Sequence, residues 1–306
     1  MATITHATLE SGNMRMASIL SQEIALLLAD RTSIRTSGAV EYFGSVNGLG
    51  SDTKQIRLAG LDGYDTMESV ADGADPTATT DLTSSAASIA VSRYALYRHL
   101  TDIAELSGQG GGDITPQRLA ASAVGEAEKC FMDLVATAIA TFGTDVGTSG
   151  SDATVDDVFS ALATLQGASN SGPYFALLAP VQLSDLQSSI RAEAGALQFL
   201  SATQEMLNIK GAGYAGSFLG IDVFTSSQVT TATGDRHGAI WSAGALGYCD
   251  AQPVISYGDV VRPAGSFVTV EFERNASMAV TEITSSAYLG LSVIQDGMGV
   301  GFVTDA

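Results

Sequence analysis

Residues 116–142, PQRLAASAVGEAEKCFMDLVATAIATF, decide how the rest of the chain is read. Their apolar positions are Leu119/Ala120, Ala123/Val124, Ala127, Cys130/Phe131, Leu134/Val135, Ala138/Ile139 and Phe142. These recur every three or four residues, the period of a helix with a single apolar stripe. Thr115 supplies an N-cap, Pro116 fits the first helical position where its missing N–H costs nothing, and Gly143 stops the run. At the rise of an α-helix the segment spans about 40 Å. A rod of that length with one apolar side requires a sheet or a partner subunit along it. Glu126, Glu128 and Asp133 fall off the stripe and read as its solvent-facing or partner-facing side.

Downstream, 144–152 reads as a linker, and 153–167 as a helix opened by a capping box, Thr154 to Asp157, with Val155, Val158, Phe159, Leu162 and Leu165 on its apolar face. PYFALLAP is a buried strand, VQLSDLQSSIRAEA a helix and SATQEMLNI a short helix. SFLGIDVFTSSQV and GAIWSAGALGYCD each read as a strand, so 150–260 alternates helix and strand and stands as an α/β-type unit. From Gly265 onward the β-branched, glycine-broken pattern predicts two or three antiparallel strands.

Upstream, 1–13 reads as an extended arm. Residues 14–30 place Met16, Ile19, Leu20, Ile24, Leu27 and Leu28 on one helical face. That face fits either the subunit's own core or a neighbouring subunit. Residues 40–60 read as extended, ending in the strand TKQIRLAG. Next comes 61–85, which carries Asp62, Asp65, Glu68, Asp72, Asp75 and Asp81, two Asp-Gly pairs and no basic residue. A plain loop of that length is uncommon in a compact domain, so it reads as the tip of an extended hairpin with 88–100 as the returning strand. The EF-hand order of ligands and its terminal glutamate are missing, and no metal site is expected.

The 306 residues are 45% hydrophobic and 15% charged, with a net charge of −19 and Lys54, Lys129 and Lys210 as the only lysines. A surface so poor in charge fits burial against other subunits. There is no basic run, which argues against phosphate-driven nucleic-acid binding and against anionic membranes. Cys130 and Cys249 lie in unrelated contexts and read as buried free thiols. Residues 1–12 show no secretory signal, and the apolar run at 24–29 is too short to cross a bilayer.

The search for chemistry yields little. Gly211, Gly213 and Gly216 form a G-x-G-x-x-G, but with a helix before and a strand after, the reverse of a dinucleotide site. His237 beside Asp235 would be half of an acid–base pair, and a solvated turn explains both. No catalytic, cofactor-binding or metal-ligating residue is assigned. An alternative function kept open is a hydrolase or nucleotide-binding enzyme built on 150–260.

In order and spacing, the parts resemble the major capsid proteins of tailed bacteriophages with the HK97 fold. The resemblance rests on SIAVSRYALYRHLTDIAELSG before the long helix, on YFALLAPVQLSDLQSSI, on GYAGSFLGIDVFTSSQV and on FVTVEFERNASMAV…AYLGLSVIQDGMGVGFVT. It implies an α+β fold with an N-terminal arm at 1–50 and an extended β-hairpin loop at 51–92. A peripheral domain with a long spine helix would take 93–150 and 262–290, and an axial domain 151–261 and 291–306. It further implies a virion capsid subunit, assembled in the host bacterial cytoplasm as hexamers and pentamers around DNA, with no cofactor and no membrane. The resemblance also implies possible portal and decoration proteins as partners; so few residues precede the helix that a separate scaffolding protein, or none, is expected, and another phage structural protein such as a tail tube or decoration protein is the alternative kept open. Lysine–asparagine crosslinking is not expected, since Lys54 sits at the base of the loop. The candidate subunit-interface residues are Met16, Leu20, Leu27, Tyr64, Met67, Asp72, Asp75, Glu126, Glu128 and Asp133.

Overall fold

The structure is a computed structural model that describes residues 20–27, 33–59, 69–75, 84–102, 116–168, 170, 172–192, 198–211, 213–252, 259–261 and 267–305. The long helix, α1, runs Pro116–Ile139. Leu119, Ala120, Ala123, Val124, Ala127, Phe131, Val135 and Ile139 are all buried along it, whereas Cys130, Leu134 and Ala138 at the stripe's margin are half-buried. The helix ends three residues before Phe142, whose ring is itself buried against Gly299; a side chain at Gly299 would collide with it. Thr115 lies outside the described residues.

The stripe packs on a six-stranded sheet. Its strands are β1 (Glu41–Ser45), β4 (Ser92–Thr101), β12 (Leu246–Asp250), β13 (Asp259–Val261), β14 (Val268–Asn275) and β15 (Val280–Val293). The central order is β1-β12-β15-β14-β13, with β4 also paired to β15. β15 is 14 residues long and organises the sheet, since β4, β12 and β14 all hydrogen-bond to it antiparallel.

An eight-stranded sheet is built from β5 (Asp145–Val146), β6 (Tyr174–Leu178), β7 (Leu200–Ser201), β8 (Tyr214–Phe218), β9 (Ile221–Thr225), β10 (Thr231–Ala232), β11 (Asp235–Ser242) and β16 (Gly299–Asp305). Period-two alternation gives each of its faces a core. Phe175, Leu177, Phe224 and Trp241 join the main core with α1, while Ala176, Leu178, Val223, Ile240 and Phe302 pack under α2 (Val155–Gly167) and α3 (Pro180–Ala192). The predicted capping box is present: the Thr154 hydroxyl accepts from the Asp157 N–H and the Asp157 carboxylate accepts from the Thr154 N–H, at 3.3 and 3.0 Å. Such a cap is worth about 1 kcal/mol.

Several expectations change. SFLGIDVFTSSQV is not one strand but the hairpin β8–β9, turning at Leu219–Gly220, where Leu219 has φ 52°. GAIWSAGALGYCD is two strands in different sheets, β11 and β12, and a turn at 243–245 carries the chain from one to the other. Continuous apolarity hid both breaks, because the chain stays buried through them. As a result 246–250 and 259–261 pair within the first sheet, rather than lying with 151–245. The 144–152 linker contributes the short strand β5. Phe159 is 44% exposed and Ala161 takes its place in the core. The described residues of the predicted arm are built into the subunit, with Leu20, Ile24, Ile34, Ala39 and Val40 buried and the Trp241 indole N–H donating to the Ala39 carbonyl at 2.8 Å.

Candidate functional site

The chain's most unusual feature is the hairpin of β2 (Thr53–Ala59) and β3 (Ser84–Ala90), a two-stranded sheet paired from Thr53↔Ala90 to Ala59↔Ser84. A two-stranded ribbon is at best marginal alone in water. It is held at its root. Ile89 is fully buried with Val46, Cys249 and Ile294, and Ile56, Ala87 and Val91 pack around them. Gly290 of β15 is the notch that admits it: a Cβ there would collide with the Ala90 carbonyl oxygen. The Lys54 ammonium donates to the Phe43 carbonyl, and the Val91 N–H to the Asp52 carbonyl at 2.9 Å, closing the root from both sides. Beyond it Gln55, Arg57, Ala86 and Ser88 are exposed, and so are residues 69–75 with Asp72 and Asp75. Tyr64 and Met67 lie outside the described residues.

The acids of the long helix do something other than face a partner. Glu128 accepts from the Arg35 guanidinium at 3.2 Å, with both side chains nearly buried (13% and 12% exposed), and Arg35 also stacks 5.3 Å over the Phe267 ring. Glu126 pairs with Arg98 of β4 and accepts from Ser122 at 3.1 Å. Both therefore tie the subunit's own elements to α1, which corrects their reading as an outward face. Among the three, Asp133 alone is exposed. Leu20 is likewise fully buried in the main core and Leu27 half-buried against it, so the described part of the N-terminal helix faces its own subunit. Met16 lies outside the described residues. The sequence reading missed Arg35, Arg98, Ile89 and Gly290; a lone arginine or glycine shows its partner only once distant segments meet.

Catalytic geometry does not assemble around the motifs. Gly211, Gly213 and Gly216 lead from the C-terminus of α4 (Gln204–Lys210) into β8, so no helix N-terminus faces them. Gly216 is required by crowding instead, since a Cβ would collide with the Leu200 carbonyl. Asp235 and His237 open β11 rather than occupying a solvated turn. Asp235 is buried and accepts from the Ser149 hydroxyl at 2.5 Å and the Gly150 N–H at 2.9 Å; these bonds hold its carboxyl below the usual carboxylate range. Burial raises the thiol pKa of both Cys130 and Cys249, which makes them poor nucleophiles. No group of metal-binding side chains occurs among the described residues, and none of their helices is long and apolar enough to cross a membrane.

No protein-family profile matches the sequence, and neither does any curated protein. Solved structures do match. The capsid of Ralstonia phage GP4 superposes with a TM-score of 0.59 at 12% identity, over 91% of this chain and 90% of that one. The chain has the HK97 capsid fold. A structure from Mycobacterium phage Che8 matches at TM-score 0.55 and 17% identity, over 84% and 87% of the two chains. The holo-SrpI encapsulin complex from Synechococcus elongatus matches at 0.56 and 12%, over 87% and 84%. In the terms of this fold, α1 is the spine helix and β2–β3 the extended loop.

Proposed function

We propose that the chain is a phage major capsid subunit that self-assembles as hexamers and pentamers into an icosahedral head around double-stranded DNA. The observation that carries this is the extended loop: a hairpin rooted in its own miniature core, largely exposed beyond it, in a chain of HK97 fold. Such a ribbon becomes stable by lying on a neighbour. The mechanism is geometric, with the loop reaching over one neighbour, the N-terminal residues tying another, and the eight-stranded sheet's domain meeting its copies around each capsomer axis. With a net charge of −19 per chain, a shell of these subunits would repel packaged DNA rather than adhere to it. Assembly would take place in the bacterial cytoplasm, with portal, decoration and scaffolding proteins as candidate partners.

Because an encapsulin complex matches at a similar TM-score of 0.56, an encapsulin-type assembly rather than a phage head is the second reading. Both are tested by electron microscopy of the full-length chain expressed in bacteria, with and without candidate scaffolds encoded beside it. Hollow icosahedral particles support a shell protein, and nuclease-protected double-stranded DNA in particles from a phage lysate selects the capsid reading. A monomer under every condition overturns both.

A further inference from the structure

A groove of about 350 Å³ opens between α1 and the first sheet, a volume within the range of small-molecule sites. Its floor is made of short side chains: Ala123 and Ala127 from α1, Ala95 from β4, and Ser285 and Ala287 from β15. Longer side chains ordinarily close the space where a helix lies on a sheet, and here they do not. Leu96, also on the wall, is 43% exposed. Most of what the groove presents is aliphatic, so a methylene chain lying in it would exchange water for carbon contacts.

The acids of the groove come at a helical interval. Glu126, Cys130 and Asp133 are at i, i+4 and i+7 of α1 and share one helix face. Seven residues of helix set the two carboxylates about 10 Å apart. Glu126 gives one oxygen to Arg98 and Ser122, while the other, Oε2, is buried with no partner. The last torsion of a glutamate is soft and the two oxygens can exchange places, but whichever one Arg98 holds leaves the second without a donor. Asp133 is exposed, and its charge reaches the groove wall: burial first, and Asp133 second, raise the Cys130 thiol pKa. Among the described residues Lys129 is the one basic side chain lining the groove, and it belongs to none of their ion pairs.

We infer that the groove binds a linear aliphatic diamine, one ammonium meeting the unpartnered oxygen of Glu126, the other meeting Asp133, and the carbon chain lying over the alanine floor between them. Charge-assisted N–H···O bonds at both ends select two ammonium groups, and the apolar floor selects a carbon chain over a metal ion, which needs oxygen ligands all round. Lys129 opposes the ligand and sets a limit on its affinity. The site belongs to a single subunit and stands apart from the shell reading.

The test is isothermal titration calorimetry of the full-length chain with octamethylenediamine, and with n-octylamine as the singly charged control. The diamine should bind saturably, one per chain, roughly three- to fivefold tighter than the monoamine, the factor an exposed ion pair supplies. Asp133→Asn should remove that advantage and Lys129→Gln should increase it. Asp156→Asn makes the same charge change at an exposed position of α2 and should leave binding unchanged. Absence of saturable binding overturns the inference. So does equal affinity for the two amines, or equal weakening by Asp133→Asn and Asp156→Asn, which would mean general attraction to an acidic chain. A second measurement locates the site. Cys249 is fully buried, so in the native chain iodoacetamide reports on half-buried Cys130. Saturating diamine should slow that labelling severalfold, and an unchanged rate would place the ligand outside the groove and overturn the assignment.

Discussion

Leu177 in the eight-stranded sheet and Ile56 in the extended loop are both strand residues, yet their surroundings differ. Leu177 is fully buried, and the strand around it has apolar cores on both faces, one shared with α1 and one under α2 and α3. Ile56 is half-buried at the margin of a small cluster, and the hairpin around it has exposed positions on alternate residues. The sheet is complete within one chain; the loop is complete only at its root. Substitutions in the sheet should therefore act on folding, and substitutions in the loop on association.

The largest effect tests the complete half. Leu177→Asp places an unpaired carboxylate in the core, at a cost of several kcal/mol. The expected outcome is insoluble protein with no cooperative melt by circular dichroism. A soluble subunit with a native melt would mean that the sheet is not the unit on which folding depends.

A step smaller is Glu128→Gln, which removes the charge facing nearly buried Arg35. Losing a charge-assisted bond there costs about 1–3 kcal/mol, or roughly 2–8 °C in Tm. Calorimetry of the subunit checks this. An unchanged Tm with altered particles would move Glu128 to the loop's side of the comparison, as a partner-facing residue.

Asp235 opens the interior strand β11 and sharpens the comparison through pH. Its carboxyl is held below the usual range by Ser149 and Gly150, so those bonds stabilise the subunit in full above the ordinary Asp pKa of about 3.9. That contribution is lost as pH falls through the lower folded value. Asp235→Asn should therefore lower Tm at pH 7 and narrow its gap to the parent as the solution is acidified. A gap that is constant with pH would mean that the carboxylate's charge plays no part.

How far the sequence could be read follows the same division. The spine helix and the capping box were legible because local periodicity and capping chemistry determine them, as the α1 stripe and Thr154 with Asp157 show; the hairpin's returning strand, expected at 88–100, is instead β3 at 84–90, while 92–101 leaves the hairpin and joins the first sheet as β4. The break at 243–245 was not legible, because an apolar run reads alike whether it continues in one sheet or crosses to another. Glu126 and Glu128 were misread for a related reason. A helix acid off the stripe looks solvent-facing until Arg35 and Arg98 arrive from segments about 90 and 30 residues away. Buried Gln182 carries no local signal at all, although its side chain bonds Ala179, Arg236, Phe302 and Thr304.

The smallest expected effect on the subunit is the most telling for the loop. Residues 69–75 are exposed throughout, and the root contacts of Ile89, Gly290 and Lys54 lie at the other end of the hairpin. Replacing 69–75 with a short Gly-Ser linker removes no buried contact among the described residues, so the unfolding free energy should stay within the roughly ±0.5 kcal/mol typical of surface changes. Shells, by contrast, should fail to close, because what is removed is the part of the chain whose partner lies outside it. A parallel cut at the root, Ile89→Ala, opens a cavity under the hairpin and should lower the subunit's stability as well, by the roughly 2–5 kcal/mol of a large-to-small core change. Normal particles from the linker variant would show that the loop ends at its root in function as well as in packing, and the division between a finished sheet and an unfinished loop would then have no bearing on assembly.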